Sequence, residues 1–263
     1  MLPFKKILFP VDFSEQARGA ARYVEAFTGR FNAALTLLNA SDPHYNDLLP
    51  DTLARRRERL DAFLAKEFEY FPVERVLTEG DAAASIIKVA NEGHFDLIML
   101  PTHGLGGFRR FLLGSVTAKV LHDADCPVWT GVHLEKAPPL ENIVFRNFLC
   151  AVNLEPHSQQ VLDFAVELAD EYRAKLTVVH VVPLMTDTES IEWQVREWLG
   201  PAAEKAAIRV ESGEIAGAVA AVVGEIDADL LIIGRNPAPG VFGRLRTDAY
   251  SIIRKSPCPV ISL

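Results

Sequence analysis

The chain has 263 residues, 49% hydrophobic and 24% charged, enough to bury one large core or two small ones. Its net charge of −8 argues against an electrostatic grip on nucleic acid or an anionic membrane, since such binding relies on clustered Lys and Arg. Three cysteines, Cys126, Cys150 and Cys258, are too few and too scattered for a disulfide framework or a C-x-x-C zinc site, and they fit a reducing cytosol.

The N-terminal stretch MLPFKKILFPVDFS breaks its apolar run at Lys5, Lys6, Pro10 and Asp12, unlike the uninterrupted apolar segment of a signal peptide. No stretch is long and apolar enough to span a bilayer. Within the opening, Ile7-Leu8-Phe9 reads as a strand, EQARGAARYVEAFTGRF as an amphipathic helix and Leu35 to Leu38 as a second strand. In LARRRERL (53–60) the arginines alternate with Leu53, Ala54 and Leu60 at helical spacing, with Glu58 among them. A solvated helix face is favoured there over a docking site. Another amphipathic segment, ASIIKVANEG, precedes a strand at Leu97 to Leu100; a helical pattern starts at Gly114-Ser115, and Val128-Trp129 forms a last strand. HLEKAPPLEN (133–142), with two prolines and several charges, reads as a linker.

Beyond it the pattern starts again. ILFPVDFS (7–14) matches FLCAVNLE (148–155), LTLLNAS (35–41) matches LTVVHVV (176–182), and GDAAASIIKVA (80–90) matches GEIAGAVAAVV (213–223). DLIMLPTHG (96–104) matches DLLIIGRNP (229–237), and CPVWT (126–130) matches CPVIS (258–262). One domain is therefore written twice: residues 1–134, a linker at 135–142, and residues 143–263. The first copy carries eight extra residues between its second and third strands, in or near DPHYNDLLPDTLARRR. Each copy alternates strands and helices, which predicts an α/β fold of two tandem, doubly wound, open parallel sheets with helices on both faces. In SIEWQVREWLG, Ile191, Val195, Trp198 and Leu199 form a core stripe and Trp193 lies off it, as an interface candidate. The seven histidines are dispersed without metal-ligand spacing.

Ligands of such sheets bind beyond the carboxyl ends of the strands, where strand order reverses. The loops after Phe9 and after Leu100 lie at such ends, and the second is glycine-rich. Gly104, Gly106 and Gly107 let backbone N–H groups approach a ligand closely. The helix opening at Gly114 presents unpaired N–H donors, with the hydroxyls of Ser115 and Thr117 in its first turn, as a seat for phosphate. Arg109 and Arg110 could add charge. The competing reading is a plain turn and N-cap, for which Gly and Ser are equally favoured.

These residues resemble the G-x2-G-x9-G-[ST] signature of the universal stress protein family. Gly104 and Gly114 stand at the second and third glycines, with nine residues between them, and Ser115 at the hydroxyl position. ILFPVDFSEQA resembles that family's first strand and Asp-containing loop, and CPVWT its last strand. The resemblance spans nearly the whole chain and implies a tandem member with Rossmann-like domains of five parallel strands, similar to the adenine nucleotide alpha hydrolase fold. It further implies an adenine-nucleotide site for ATP, with Mg2+ as a companion ion. In that site Pro10, Val11 and Asp12 would border the adenosine, and Ala40 would line the base. Leu100 and Pro101 would flank base and ribose, and Gly104, Gly114, Ser115 and Val116 would hold the phosphates. It also implies an internal pseudo-dimer of the two domains and a further homodimer. One departure is Pro101, where the signature has its first glycine; a proline there lacks an N–H.

The second copy departs further. Gly234 keeps the first glycine, but Pro237 and Arg246 replace the other two, Thr247 alone keeps the hydroxyl, and Asn153 replaces Asp12. Gly240, Gly243, Arg244 and Arg246 could form a different anion site, although a silent structural partner is the simpler reading. The functional expectation is an ATP-binding protein acting in the stress response by ligand occupancy, at most a slow ATPase. A nucleotide-free dimerising scaffold is the alternative. A dedicated adenylating enzyme is disfavoured, because no convergent carboxylate, His and nucleophile set is visible.

Overall fold

A computed structural model describes residues 4–41, 53–102, 113–131, 134, 137–184, 188–235 and 244–263. The chain parts into two compact units between Ile143 and Val144.

The first unit contains β1 (Lys6–Pro10), α1 (Glu15–Phe31), β2 (Ala34–Ser41), α2 (Leu53–Ala62), β3 (Val73–Glu79), α3 (Ala82–Glu92), β4 (Leu97–Pro101), α4 (Ser115–Asp123) and β5 (Val128–Gly131). Its strands lie in the order β3-β2-β1-β4-β5, all pairs parallel. The second contains β6 (Asn147–Ala151), α5 (Ser158–Tyr172), β7 (Lys175–Val182), α6 (Thr188–Leu199), β8 (Ala206–Ser212), α7 (Ile215–Glu225), β9 (Leu230–Ile233), α8 (Arg244–Lys255) and β10 (Val260–Ser262). Its order, β8-β7-β6-β9-β10, repeats the first, again parallel throughout. Both are the doubly wound sheets expected from the alternation of strand and helix patterns.

The central strands are apolar runs because helices cover both faces: every residue of β4 and β9 is buried. Flanking α1 starts where Ser14 caps it, accepting from the Ala17 N–H at 3.1 Å, and ends at Asn32 in the left-handed region, φ 49°. Its inner face, from Ala17 through Val24 and Phe27 to Phe31, is buried.

Chemistry as well as pattern is repeated. The Asp96 carboxylate accepts the backbone N–H groups of Lys5 and Lys6 at 2.7 and 2.9 Å. Asp229 does the same for Arg146 and Asn147 at the same distances. Asp81 caps α3 and pairs with Lys119 at 3.0 Å, while Glu214 caps α7 and pairs with Lys255 at 2.7 Å. The Ala84 N–H, followed by Lys119, holds the Asp81 carboxyl below its ordinary value. Lys255, followed by the Gly217 N–H, does so for Glu214.

Two segments carry contacts that the sequence reading does not show. Leu134, Ala137 and Pro138, in the stretch read as a linker, lie against α1. A Cβ built on Gly19 would sit 1.9 Å from the Leu134 carbonyl oxygen, and Arg22 donates to the carbonyls of Ala137 and Pro138. The second is α2, where Leu53 and Ala54 are exposed and the buried pair is Arg56 and Leu60. Its arginines are therefore not one solvated face: Arg56 points inward, Arg57 donates to the Arg75 carbonyl at 2.8 Å, and the Arg59 guanidinium lies 4.2 Å from the Phe13 ring centre. An apolar-pattern reading assigns charged residues outward and misses an arginine satisfied by buried acceptors distant in sequence.

Candidate functional site

In the first unit the chain reverses its direction of winding between β1 and β4. β1 ends at Pro10, and Val11 stays attached to the sheet through its N–H to the Leu38 carbonyl, 2.8 Å. Phe13 then turns through the left-handed region, φ 63°, its ring edge-on to Phe63 at 5.2 Å. One oxygen of Asp12 accepts both the N–H and the hydroxyl of Ser14, at 3.0 and 2.5 Å, which fixes the carboxylate at the mouth of the sheet.

β4 ends at Pro101, whose carbonyl accepts the Thr117 hydroxyl at 3.0 Å. The proline disturbs nothing in the sheet. Ile98 and Thr102 both send their N–H toward β5, to Pro127 and Gly131, so by the two-residue period of a strand position 101 sends none there. Pairing of β4 with β1 ends at Ile98. Proline at 101 therefore removes no ladder hydrogen bond, as at a permitted strand end. The return of the chain is tied to the exit by the Gly114 N–H on the Thr102 carbonyl, 2.9 Å.

Helix α4 differs from its neighbours at its N-terminus. Ser14 caps α1 and Asp81 caps α3, but Gly114 in the cap position of α4 offers no side-chain hydrogen bond. Gly114 has φ −60° and ψ 147°, a conformation open to any residue. The backbone at 114 therefore does not itself require a glycine. Among the described residues no side chain caps the first-turn N–H groups of α4.

These elements enclose a cavity of about 420 Å³. Pro10, Val11 and Asp12 from the β1 exit, Ala40 from β2, Leu100 and Pro101 from β4, and Gly114, Ser115 and Val116 from α4 all line it. Gly104, together with Gly106, Gly107, Arg109 and Arg110, lies outside the described residues. Three further lining residues, Leu38, Ala82 and Ile86, are absent from the site assigned by sequence, and Thr117, whose hydroxyl the sequence places in the first turn of α4, lines it as well. Ala82 and Ile86 form an apolar wall from α3, whose amphipathic pattern marks them only as inward-facing. Thr117 is buried and its hydroxyl is committed to Pro101, so of the two first-turn hydroxyls the sequence offers, only the exposed Ser115 is presented. Asp12 is the one carboxylate lining the cavity among the described residues. The described residues contain no group of three or more His, Cys, Asp or Glu side chains able to hold a metal ion.

The corresponding place in the second unit is smaller, about 120 Å³. There Val181 stands for Ala40 and Asp248 for Val116, with Val152, Asn153 and Gly234 in the places of Val11, Asp12 and Pro101. Asn153 accepts the Ser158 hydroxyl and the Glu155 N–H, much as Asp12 serves Ser14. Pro237, Gly240 and Gly243 lie outside the described residues, as do the side chains of Arg244, Arg246 and Thr247.

A parallel five-stranded unit, repeated, with a cleft at the switch point and an uncapped helix N-terminus beyond a G-x9-G-S spacing, agrees with a known family. Residues 3–130 and 145–262 each match the universal stress protein family. The chain belongs to that family. A universal stress protein of Thermus aquaticus is 33% identical over 132 residues, covering 48% of this chain and 96% of that protein. One of Methanocaldococcus jannaschii is 29% identical over 150 residues, covering 48% and 93%. Each of these relatives corresponds in length to one of the two units. Among solved structures, a universal stress protein from Archaeoglobus fulgidus aligns with a TM-score of 0.76 over 98% of this chain and 95% of its own, at 23% identity, a likeness of fold. This universal stress protein has no described helix long and apolar enough to cross a membrane.

Proposed function

We propose that the first unit binds an adenine nucleotide, ATP foremost, and that occupancy of this site is its output in the stress response. The carrying observation is the 420 Å³ cavity, within the range of small-molecule and cofactor sites, joined to the uncapped N-terminus of α4. The cleft is divided in the way a nucleotide is. Val11, Leu38, Ala40 and Ile86 make an apolar end for the base, and Gly114, Ser115 and Val116 bring N–H donors and the positive helix end to the phosphates. Val11, Ala40, Gly114, Ser115 and Val116 are positions that the family resemblance also implies, and Leu38 and Ile86 are added by the cavity lining.

Asp12 supplies a single carboxylate, already accepting two bonds from Ser14 through one oxygen. A Mg2+ ion accompanying ATP would therefore be held mainly by phosphate oxygens and water, with Asp12 as its protein partner. Among the described lining residues no base stands beside a nucleophile, so the reading is a binding protein with at most slow hydrolysis. The second unit, with about 120 Å³ and the Asp248 carboxylate at the phosphate end, is read as not holding the same ligand. A cytoplasmic homodimer completes the proposal, consistent with three free cysteines.

The test is the nucleotide content of the purified protein, released by denaturation and resolved by ion-exchange chromatography, followed by calorimetric titration of stripped protein with Mg-ATP. One nucleotide site per chain is expected. Absence of both co-purified nucleotide and heat of binding would reject the proposal and leave the dimerising scaffold.

A further inference from the structure

Behind the apolar end of the cavity lies an arginine that stability alone does not explain. Arg56 on α2 is 5% exposed and forms no ion pair with a described carboxylate. Its Nη2 donates to Asn39 Oδ1 at 3.1 Å and to the Thr78 carbonyl at 3.1 Å. Burying a guanidinium against neutral acceptors is a poor way to stabilise a core, because desolvation of the charge offsets what the bonds return. Asn39 is likewise buried, and its Nδ2 donates to the Val11 carbonyl at 2.8 Å. The arginine thus determines which way the amide points: with Oδ1 accepting from Arg56, only Nδ2 faces Val11, and a flipped amide would set oxygen against oxygen.

Val11 is held at both polar atoms by the end of β2, through its N–H on Leu38 and its carbonyl on Asn39. Val11, Leu38 and Ala40 all line the cavity, so the chain Arg56–Asn39–Val11 sets the wall at the base end without touching the ligand. The second unit makes the last link differently. His180 occupies the place of Asn39, and its Nδ1 meets the Val152 carbonyl at 2.9 Å. With the proton on Nδ1 the ring is a donor at that atom and has no oxygen to present in its place, so it needs no arginine to orient it.

We propose that Arg56 is a positioning residue of the nucleotide site, acting through the Asn39 amide on the Val11 carbonyl and hence on the base-facing wall. This rests on the nucleotide reading above. Its signature follows from location: loss of Arg56 weakens adenosine and ATP by the same factor, because the defect lies at the end they share.

The experiment titrates wild type, Arg56→Met and the double variant Arg56→Met/Asn39→His with adenosine and with Mg-ATP, alongside thermal melts of ligand-free protein. Arg56→Met is expected to bind both ligands about tenfold more weakly, the scale of one oriented hydrogen bond. The histidine, using the second unit's solution, is expected to restore most of the loss. Unchanged affinity with a lowered melting temperature would reduce Arg56 to a structural residue. A loss confined to ATP would mean a direct charge effect on phosphate; either result overturns the inference, as does failure of the histidine to rescue. If Arg56→Met does not fold, Asn39→Leu tests the same route with Arg56 present: an equal loss for both ligands supports it, and unchanged affinity overturns it. Wild type that binds neither ligand is a separate outcome, which rejects the nucleotide reading and this inference with it.

Discussion

Replacing Val116 by Asp would transplant into the first unit the carboxylate that the second carries at position 248. Val116 lines the cavity in the first turn of α4, at the end proposed above for the phosphates. A carboxylate about 5 Å from a phosphate charge, at an effective dielectric of about 20 to 35, costs about 2 to 3 kcal/mol. That corresponds to about 30- to 150-fold weaker binding of ATP. Adenosine, lacking the phosphates, should bind within about twofold of wild type, since a net effect below about 0.4 kcal/mol is all that remains. Folding is not the route of the effect: an acidic residue in the first helical turn is favourable, by about 0.3 to 1 kcal/mol at an exposed site. Calorimetric titration of both ligands at two salt concentrations, with a melt of the apo protein, separates the terms. The ATP deficit should narrow as salt rises. Unchanged ATP affinity, or an equal loss for adenosine, would refute the placement of phosphates at α4.

Gly19→Ala should destabilise the first unit by about 1 to 3 kcal/mol through overpacking, because its Cβ would fall 1.9 Å from the Leu134 carbonyl oxygen; an unchanged melting temperature would mean that residues near Leu134 do not lie on α1 in solution. Cys150 and Cys258 are buried, and burial pushes their thiols up to about 12 and about 11, so iodoacetamide at pH 8 should label Cys126 alone in native protein, read by peptide mass spectrometry. Asp81 and Glu214 have folded-state values below their unfolded ones, so their contribution is present in full above the ordinary carboxylate range and is lost as pH falls through the lowered values. Melting temperature against pH should therefore fall less steeply on the acid side in Asp81→Ala/Glu214→Ala than in wild type; superimposable slopes would show that these exposed caps contribute nothing.

Much of the fold is legible along the chain itself. The segment EQARGAARYVEAFTGRF coincides with α1, because Ser14 and Asn32 delimit it chemically and its apolar residues recur at helical spacing. The repeat is equally plain, since apolar strands and capping carboxylates reappear in order. Arg56 is the clearest failure: its partners, Asn39 and the Thr78 carbonyl, lie 17 and 22 residues away, and no local pattern announces that they will converge. Thr117 fails for a related reason. Its place in the first turn is legible, but whether its hydroxyl faces a ligand or the Pro101 carbonyl depends on how closely α4 approaches the end of β4.

By itself, then, the sequence determines what is local or repeated: two copies of one unit, alternating parallel strands and helices, and a helix that starts at Gly114-Ser115. Periodicity and capping are properties of neighbouring residues, so they can be read along the chain. Tertiary structure alone decides that Pro101 is harmless at a strand end, that α3 closes the apolar side of the cavity, and that the second cavity is smaller than the first. Each depends on hydrogen-bond direction and packing between segments distant in sequence, where position in space rather than residue type settles which group meets which.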